Sequence, residues 1–215
     1  MITRIDLLRH GKVAGPAALN GHTDVALSQD GETQLWRAVQ SLSPQQVLTS
    51  PRQRCRLFAE AYAERKQLPC RIESDLQEVS FGDWDGVPFD QLYQQPDVWQ
   101  QIEDYWKHPA CNTPANGEPL EQAFERVGQC WQSLLPALTA RYSLVVCHGA
   151  VIRLILAHLL PGDWRDGRWY SSLDIGHASL TRIEIPDHTD AVPVVRFIGL
   201  PVTERTDTSF SPSTF

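Results

Sequence analysis

The sequence lacks a hydrophobic run long enough to cross a bilayer. Its longest apolar stretch, residues 151–160, is interrupted by Arg153 and His158, whereas a transmembrane helix needs about 20 consecutive apolar residues. Residues 1–4 lead directly into a predicted strand, without the pattern of a signal peptide. We therefore expect no membrane partner and a cytoplasmic location.

Cysteine patterns typical of disulfide or zinc frameworks are also missing. The five cysteines are odd in number and widely spaced, and no C-x-x-C pair occurs, which favours reduced thiols. No cluster of histidine, cysteine and carboxylate residues has metal-ligand spacing in the sequence. We therefore expect neither a metal nor another cofactor.

Positive charge is in the minority. The chain has 19 lysines and arginines against 26 aspartates and glutamates, which gives a net charge of −7. A nucleic-acid-binding protein would need a basic face, so we expect no nucleic-acid partner. Any anion site must be a local positive pocket in an acidic protein.

The chain has the length and composition of one globular domain. Its 215 residues, 42% of them hydrophobic, suffice for a full core. Predicted strands alternate with helices, which favours an α/β fold with a largely parallel sheet flanked by helices, and a late hairpin at one sheet edge. We predict one domain over residues 1–202, with short helices forming a flap over residues 88–116, and a disordered tail over residues 203–215.

Three predicted strands end in residues suited to phosphate chemistry. The first is followed by Arg9-His10-Gly11, the second by Ser50-Pro51, and a later one by His148-Gly149. Ligands of open α/β sheets bind just beyond the carboxyl ends of strands. There an arginine can fork onto a phosphate and a neutral imidazole can attack phosphorus.

The glycine and serine positions have their own local interpretations. We interpret Gly11 as a residue that lets the backbone turn and approach a ligand, and Ser50-Pro51 as a helix cap followed by a proline at the first helical position. The triplet Arg9-His10-Gly11 alone would fit equally well a strand end with a solvated arginine and a surface histidine.

Four motifs together make a family resemblance. Arg9-His10-Gly11 resembles the first signature of the histidine phosphatase superfamily, also called phosphoglycerate mutase-like. The other three motifs follow in the family's order, so that the resemblance covers residues 3–160: Ser50-Pro51-Arg52-Gln53-Arg54-Cys55 resembles S-P-x-x-R-[AC], Leu76-Gln77-Glu78 with Phe81-Gly82-Asp83-Trp84-Asp85-Gly86 resembles L-x-E-x-x-F-G-x-W-[ED]-G, and Val145-Val146-Cys147-His148-Gly149 resembles V-x-x-H-G. The small-residue loop 13–18 and the segment 21–24 resemble the α-ribazole phosphatase branch.

The resemblance implies a role for each motif. His10 would be the nucleophile that forms a phosphohistidine, with its other nitrogen held by a backbone carbonyl. Arg9, Arg54 and His148 would neutralise the phosphoryl oxygens, and the helix beginning at Gly149 would add N–H donors. Such an array can replace a metal ion.

Glu78 would be the general acid for the leaving oxygen and then the base for the attacking water. The first role requires the carboxyl group to be protonated when the substrate binds. The substrate class implied is a small phosphomonoester, with α-ribazole 5′-phosphate in cobalamin nucleotide-loop assembly as the narrower possibility.

Other reactive or charged side chains have simpler interpretations. Arg52 and Arg56 are expected to be solvated or paired, and Cys147 to pack within its strand. Trp84 and Trp99 are expected to pack in the core or the flap rather than stack on a substrate. The remaining histidines are expected not to be ligands, with His22 the one candidate for the mouth of the pocket: His22, His108, His158, His177 and His188.

The sequence departs from the family pattern at three positions. Many members carry a threonine three residues after the first histidine and an asparagine six after it, whereas this chain has Val13 and Pro16. Pro119 stands where members often have a serine. One phosphate contact is therefore missing or comes from elsewhere, with residues 20–23 as the candidate segment.

Two alternatives to a phosphatase remain open. One is a phosphoglycerate mutase-type phosphotransferase of the same fold, although mutases of the family usually carry a longer insert between the Glu78 loop and Gly117. The other is a catalytically silent phosphate-binding protein, which the full set of motif residues disfavours. The sequence leaves the oligomeric state open.

Overall fold

The computed structural model describes residues 2–138, 140–187 and 192–201. It contains a six-stranded sheet in the order β3-β2-β4-β1-β5-β6. The strands are β1 Ile2–Arg9, β2 Gln46–Thr49, β3 Cys70–Ile72, β4 Tyr142–Cys147, β5 Leu180–Pro186 and β6 Val194–Leu200. The helices are α1 Gln29–Ala38, α2 Gln53–Lys66, α3 Phe89–Tyr93, α4 Pro96–Lys107, α5 Leu120–Ala137, α6 Gly149–Leu159 and α7 Gly167–Ser172, and single 3-10 turns lie at Ser74–Leu76 and Gly82–Trp84.

The prediction of a largely parallel α/β sheet is confirmed. Strands β3, β2, β4 and β1 are parallel, and β5 and β6 add an antiparallel hairpin beside β1, as the late apolar segments predicted. β4 is buried along nearly its whole length because it lies in the middle of the sheet with helices on both faces. The predicted tail over residues 203–215 lies outside the described residues.

The parallel register brings three strand ends to one edge of the sheet. Arg9 pairs with Cys147, and Thr49 pairs with Val146, so β1, β2 and β4 end side by side. The residues that follow them, His10, Ser50 and His148, therefore meet at this edge. The hydrophobic core fills both faces of the sheet behind them.

The local prediction for Ser50-Pro51 is wrong. Helix α2 begins at Gln53, and its N-cap is Arg52, whose side chain makes no capping bond. The Ser50 hydroxyl accepts from the Arg52 N–H at 3.3 Å, ahead of the helix, and it also contacts a buried histidine, described below. In contrast, Ser28 is the N-cap of α1, with its Oγ accepting from the Gly31 N–H, as expected.

Residues 88–116 form the short helices α3 and α4 that the sequence predicted, and these have their own apolar cluster. Leu92 and Ile102 are buried there against Trp84. Trp99 lies edge-on to Phe89, so it packs within this region, as expected. No helix in the described part of the chain is both long and apolar enough to cross a membrane.

Candidate active site

His10 occupies the loop directly after β1 with its ring almost enclosed. Its Nδ1 atom lies 2.8 Å from the Gly11 carbonyl oxygen, which can only accept, so Nδ1 carries the proton and Nε2 keeps its lone pair. Desolvation and the charges of Arg54 and Arg9 hold the pKa of His10 well below its usual value of 6.5. The ring is therefore neutral, as a nucleophile must be.

His148 lies beside His10, and it is fully buried. The two ring centroids are 5.3 Å apart and the rings are edge-on. The Nε2 atom of His148 lies 2.7 Å from the Oγ of Ser50. Burial and the neighbouring charge of Arg54 lower the pKa of His148 well below 6.5. His148 is thus available as a neutral hydrogen-bond donor beside the nucleophile.

Arg54 reaches this centre from the first turn of α2, and it is fully buried. Its guanidinium donates to the Thr23 carbonyl at 2.9 Å and to the Asn20 and Gly21 carbonyls at 2.7 and 2.8 Å. Its Nε is buried without a partner. Because its partners are neutral carbonyls, the arginine keeps its full positive charge for an anion.

Arg9 is the last residue of β1 and directly precedes His10. One guanidinium nitrogen donates to the Ile175 carbonyl at 2.6 Å, and another lies 3.3 Å from the Nε2 of His177. Within the described ranges, no carboxylate forms an ion pair with Arg9 or Arg54. A local positive pocket therefore exists in this acidic protein.

Gly149 begins α6, and its lack of a side chain leaves space for the guanidiniums of Arg9 and Arg153. A Cβ there would lie 3.3 Å from the Arg9 Nε and 3.1 Å from an Arg153 nitrogen. Arg153 is held by the carbonyls of Gly149 and Leu173. A larger residue would press on both arginines.

Glu78 lines the same pocket from the loop that follows β3, and only 8% of its surface is exposed. One carboxylate oxygen accepts from its own neighbour Val79 N–H at 3.2 Å, and the other accepts from Ala150 N–H at 3.3 Å. Arg126 supports the loop by donating to the Gln77 carbonyl and pairing with Glu118. The carboxylate is thus fixed against the first turn of α6.

These residues surround one pocket of about 400 Å³. Arg9, His10 and Glu78 line it directly, whereas Arg54 and His148 lie buried next to His10. The other lining residues are mainly apolar and come from the 13–19 loop and two aromatic rings: Val13, Gly15, Pro16, Ala17, Ala18, Leu19, Phe81 and Phe89. All six residues singled out in the sequence therefore meet in one place.

Two side chains at this centre escaped the sequence analysis. His177 lines the pocket, 5.5 Å from the His10 ring, although histidine spacing gave it no role. The available signal was its place just before β5: because β5 runs antiparallel to β1, the start of β5 lies beside the end of β1. Ser50 precedes a proline, which in sequence is typical of a helix cap, so its contact with His148 has no local signal.

The structure adds a second role for Gly11 and narrows the expectation for residues 20–23. Gly11 is needed for the approach of α1, since a Cβ there would lie 2.1 Å from the Gly31 carbonyl oxygen. The amides of residues 21–23 are not free for phosphate, because the Asp85 carboxylate accepts from all three. Burial opposes ionisation of Asp85, but the hydrogen bonds from Thr23, His22 and Phe81 hold its pKa below the usual value.

The remaining segment residues have defined places. His22 does not line the pocket, contrary to the suggestion from sequence, whereas Asn20 does. Arg52 donates to the His22 carbonyl and to Gln77, and Arg56 pairs with Glu60, so both are paired as expected. Among the described residues, no group of three or more histidines, cysteines and carboxylates could hold a metal ion, and all five cysteines are free thiols.

Comparison with known proteins agrees with this geometry. The sequence model of the histidine phosphatase superfamily (branch 1) matches residues 5–196. The adenosylcobalamin/alpha-ribazole phosphatase of Escherichia coli is 28% identical over 185 residues, covering 80% of this chain and 86% of the relative. The uncharacterized phosphatase PhoE of Bacillus subtilis is 28% identical over 167 residues, covering 75% of this chain and 80% of the relative. The solved structure of Bacillus stearothermophilus YhfR shares the fold, with a TM-score of 0.81 at 22% identity over 92% of this chain and 97% of that one. The chain therefore belongs to the histidine phosphatase superfamily, branch 1.

Proposed function

We propose that this chain is a metal-independent phosphomonoesterase that acts on a small phosphorylated metabolite through a phosphohistidine. The observation that carries the proposal is the His10 ring, which is neutral, held through Nδ1 by the Gly11 carbonyl, and 5.3 Å from the His148 ring. This arrangement leaves the Nε2 lone pair free to attack phosphorus.

The first step transfers the phosphoryl group to the protein. The His10 Nε2 lone pair forms a bond to phosphorus while the bond from phosphorus to the leaving oxygen breaks. Arg9, Arg54 and His148 stabilise the charge on the three equatorial oxygens, which is the main requirement of phosphoryl transfer. Glu78, which lines the same pocket as Arg9 and His10, supplies the proton that the leaving oxygen needs.

The second step returns His10 to its starting form. A water attacks phosphorus and gives its proton to the Glu78 carboxylate, while the bond between phosphorus and Nε2 breaks and the lone pair returns to nitrogen. Inorganic phosphate leaves, and Glu78 is again protonated for the next cycle. Each proton released in one step is used in the other.

The narrower substrate that we propose is α-ribazole 5′-phosphate. Support comes from the name of the Escherichia coli relative and from the apolar 13–19 loop, where Val13 and Pro16 replace polar residues of many family members. An apolar wall with two phenylalanines suits a leaving group that carries a planar ring better than one that carries a carboxylate.

The test is phosphate release from α-ribazole 5′-phosphate, 3-phosphoglycerate, sugar phosphates and a nitrophenyl phosphate, by wild type and His10→Ala. We expect hydrolysis by the wild type only, with the highest kcat/KM on α-ribazole 5′-phosphate. Isomerisation of 3-phosphoglycerate without phosphate release would indicate a mutase. Phosphate binding without turnover of any substrate would indicate a silent binding protein, and a folded His10→Ala variant with full activity would exclude the phosphohistidine.

A further inference from the structure

The loop between α7 and β5 holds Arg9 through two acceptors that carry no charge. The Ile175 carbonyl accepts from one terminal nitrogen of Arg9 at 2.6 Å, and the Nε2 of His177 lies 3.3 Å from the other. The Arg9 Nε is buried without a partner. An arginine has five N–H donors in a fixed plane, so fixing one donor on each terminal nitrogen sets the direction of the remaining three.

The same loop is tied to the backbone of the nucleophile. The Ala178 N–H donates to the His10 carbonyl at 3.1 Å, and the Arg9 N–H donates to the Ser179 carbonyl at 3.1 Å. Ala178 has a φ of 55°, a left-handed conformation that is costly for a residue other than glycine. Strained backbone of this kind persists only where the surrounding structure holds it, and it clusters at functional sites.

We propose that His177 is a positioning residue for phosphate binding: its Nε2 accepts from Arg9 and thereby aims the free donors of that guanidinium at the phosphoryl group. This role rests on the proposed phosphatase reaction. The acceptor must be neutral, because a carboxylate in its place would orient Arg9 equally well but cancel the positive charge that binds the anion.

The surroundings of His177 keep it in the accepting form. Partial desolvation and the positive charges of Arg9 and Lys12 lower its pKa to about 4, so the ring is neutral at pH 7. With Nε2 as the acceptor, the ring proton resides on Nδ1. The ring also lies 5.5 Å from that of His10, so packing and hydrogen bonding are two separable contributions.

Matched substitutions separate these contributions. His177→Phe keeps a ring of similar bulk but removes the acceptor, whereas His177→Gln loses the ring but places a neutral oxygen as many bonds from the backbone as Nε2. We expect His177→Phe to weaken the binding of inorganic phosphate by about tenfold, as for the loss of a hydrogen bond to a charged group, and kcat/KM to fall in parallel. His177→Gln should recover most of both losses.

The measurements are calorimetric binding of inorganic phosphate, kcat and KM on the best substrate of the panel, and thermal unfolding of each variant. His108→Ala, which removes an exposed histidine outside the pocket, is the control and should bind phosphate like the wild type. Wild-type phosphate affinity in His177→Phe, or equal losses in His177→Phe and His177→Gln at unchanged thermal stability, would overturn the role of Nε2. In that case wild-type turnover would still support the phosphatase. A wild type that binds phosphate in a His177-dependent way but hydrolyses nothing would overturn the phosphatase instead.

Discussion

The Nε2 atom of His148 lies 2.7 Å from the Oγ of Ser50, and both side chains are fully buried. The Ser50 Oγ also accepts from the Arg52 N–H at 3.3 Å, so the hydroxyl is fixed from both sides. A serine hydroxyl can pair with either tautomer of a neutral imidazole. Ser50 therefore holds the ring of His148 in place at the end of the neighbouring strand.

The first prediction follows from this contact. In Ser50→Ala, the Nε2 of His148 loses its hydrogen-bond partner and the ring is held less firmly, so we expect kcat to fall by about tenfold, the effect of losing one buried hydrogen bond. Steady-state kinetics and thermal unfolding are the measurements. Ser133→Ala, which removes a hydroxyl that donates to the Cys130 carbonyl of its own helix, is the control. A folded Ser50→Ala variant with wild-type kcat would contradict this role.

The second prediction concerns Gly11 and stability. In Gly11→Ala, the new Cβ would lie 2.1 Å from the Gly31 carbonyl oxygen and 2.6 Å from its carbon, so α1 must move away from the strand end. We expect the free energy of unfolding to fall by about 2 kcal/mol or more, as in other overpacked sites. Urea unfolding measures it. Gly176→Ala, whose Cβ would meet no atom within 4 Å, should change the stability much less.

These contacts show what the sequence could and could not predict. Strand ends were predictable because a continuous apolar run such as 144–147 stops at a polar residue, and parallel strands share one carboxyl edge. The set of residues at that edge followed from the family resemblance, and the register of β1 with β4 brings His10 and His148 together.

The sequence could not predict contacts between residues that lie far apart along the chain. His177 contacts Arg9 although the two are 168 residues apart in sequence. The Asp85 carboxylate accepts hydrogen bonds from the N–H groups of residues 21–23, more than 60 residues earlier in sequence. Neither contact has a local pattern, because both depend on how two loops pack. Gly11 was predictable as a special position, but its neighbour Gly31 was not.

The third prediction concerns pH and stability. Both His10 and His148 have pKa values well below 6.5 in the folded protein because of burial and nearby arginines. Below pH 6.5 the unfolded chain takes up protons that the folded protein does not bind, so the free energy of unfolding falls with decreasing pH. Each histidine contributes at most about 1.4 kcal/mol per pH unit.

Urea unfolding of wild type and His10→Asn at pH 7.5, 6.0 and 5.0 measures this effect. We expect the difference between the two proteins to shift in favour of the variant as the pH falls, since the variant has one fewer histidine that resists protonation. The difference in the free energy of unfolding at pH 7.5 is the internal reference, because the His10 ring is neutral there in both the folded and the unfolded protein. A difference that stays constant over this range would contradict the lowered pKa of His10.

The fourth prediction concerns metal ions. Three arginines, Arg9, Arg54 and Arg153, lie around the proposed phosphate site, and none has a carboxylate ion pair among the described residues. Their charge can do the work of a divalent cation in binding phosphate. We expect full phosphatase activity after dialysis against EDTA. Inactivation by the chelator with recovery on adding Mg²⁺, Mn²⁺ or Zn²⁺ would disprove metal independence.

The fifth prediction concerns Glu78, whose value as an acid depends on the leaving group. An alkyl or ribosyl oxygen leaves poorly without a proton, whereas a nitrophenolate is stable without one. Glu78→Gln keeps the shape of the side chain and an oxygen that can accept from the Ala150 N–H, but it cannot supply the proton. We expect a loss of about 10²–10⁴-fold on alkyl phosphates, the usual contribution of general acid catalysis.

On nitrophenyl phosphate, formation of the phosphohistidine should be affected much less in Glu78→Gln. The comparison must use single-turnover phosphorylation of His10, because Glu78 also activates water in the second step and would mask the difference at steady state. Gln77→Ala is a neighbouring control that removes an acceptor of Arg52 without touching the carboxylate. Equal losses of Glu78→Gln on both substrates would mean that Glu78 positions the phosphate or holds its loop against Ala150, and the acid would then have to be another group in the pocket.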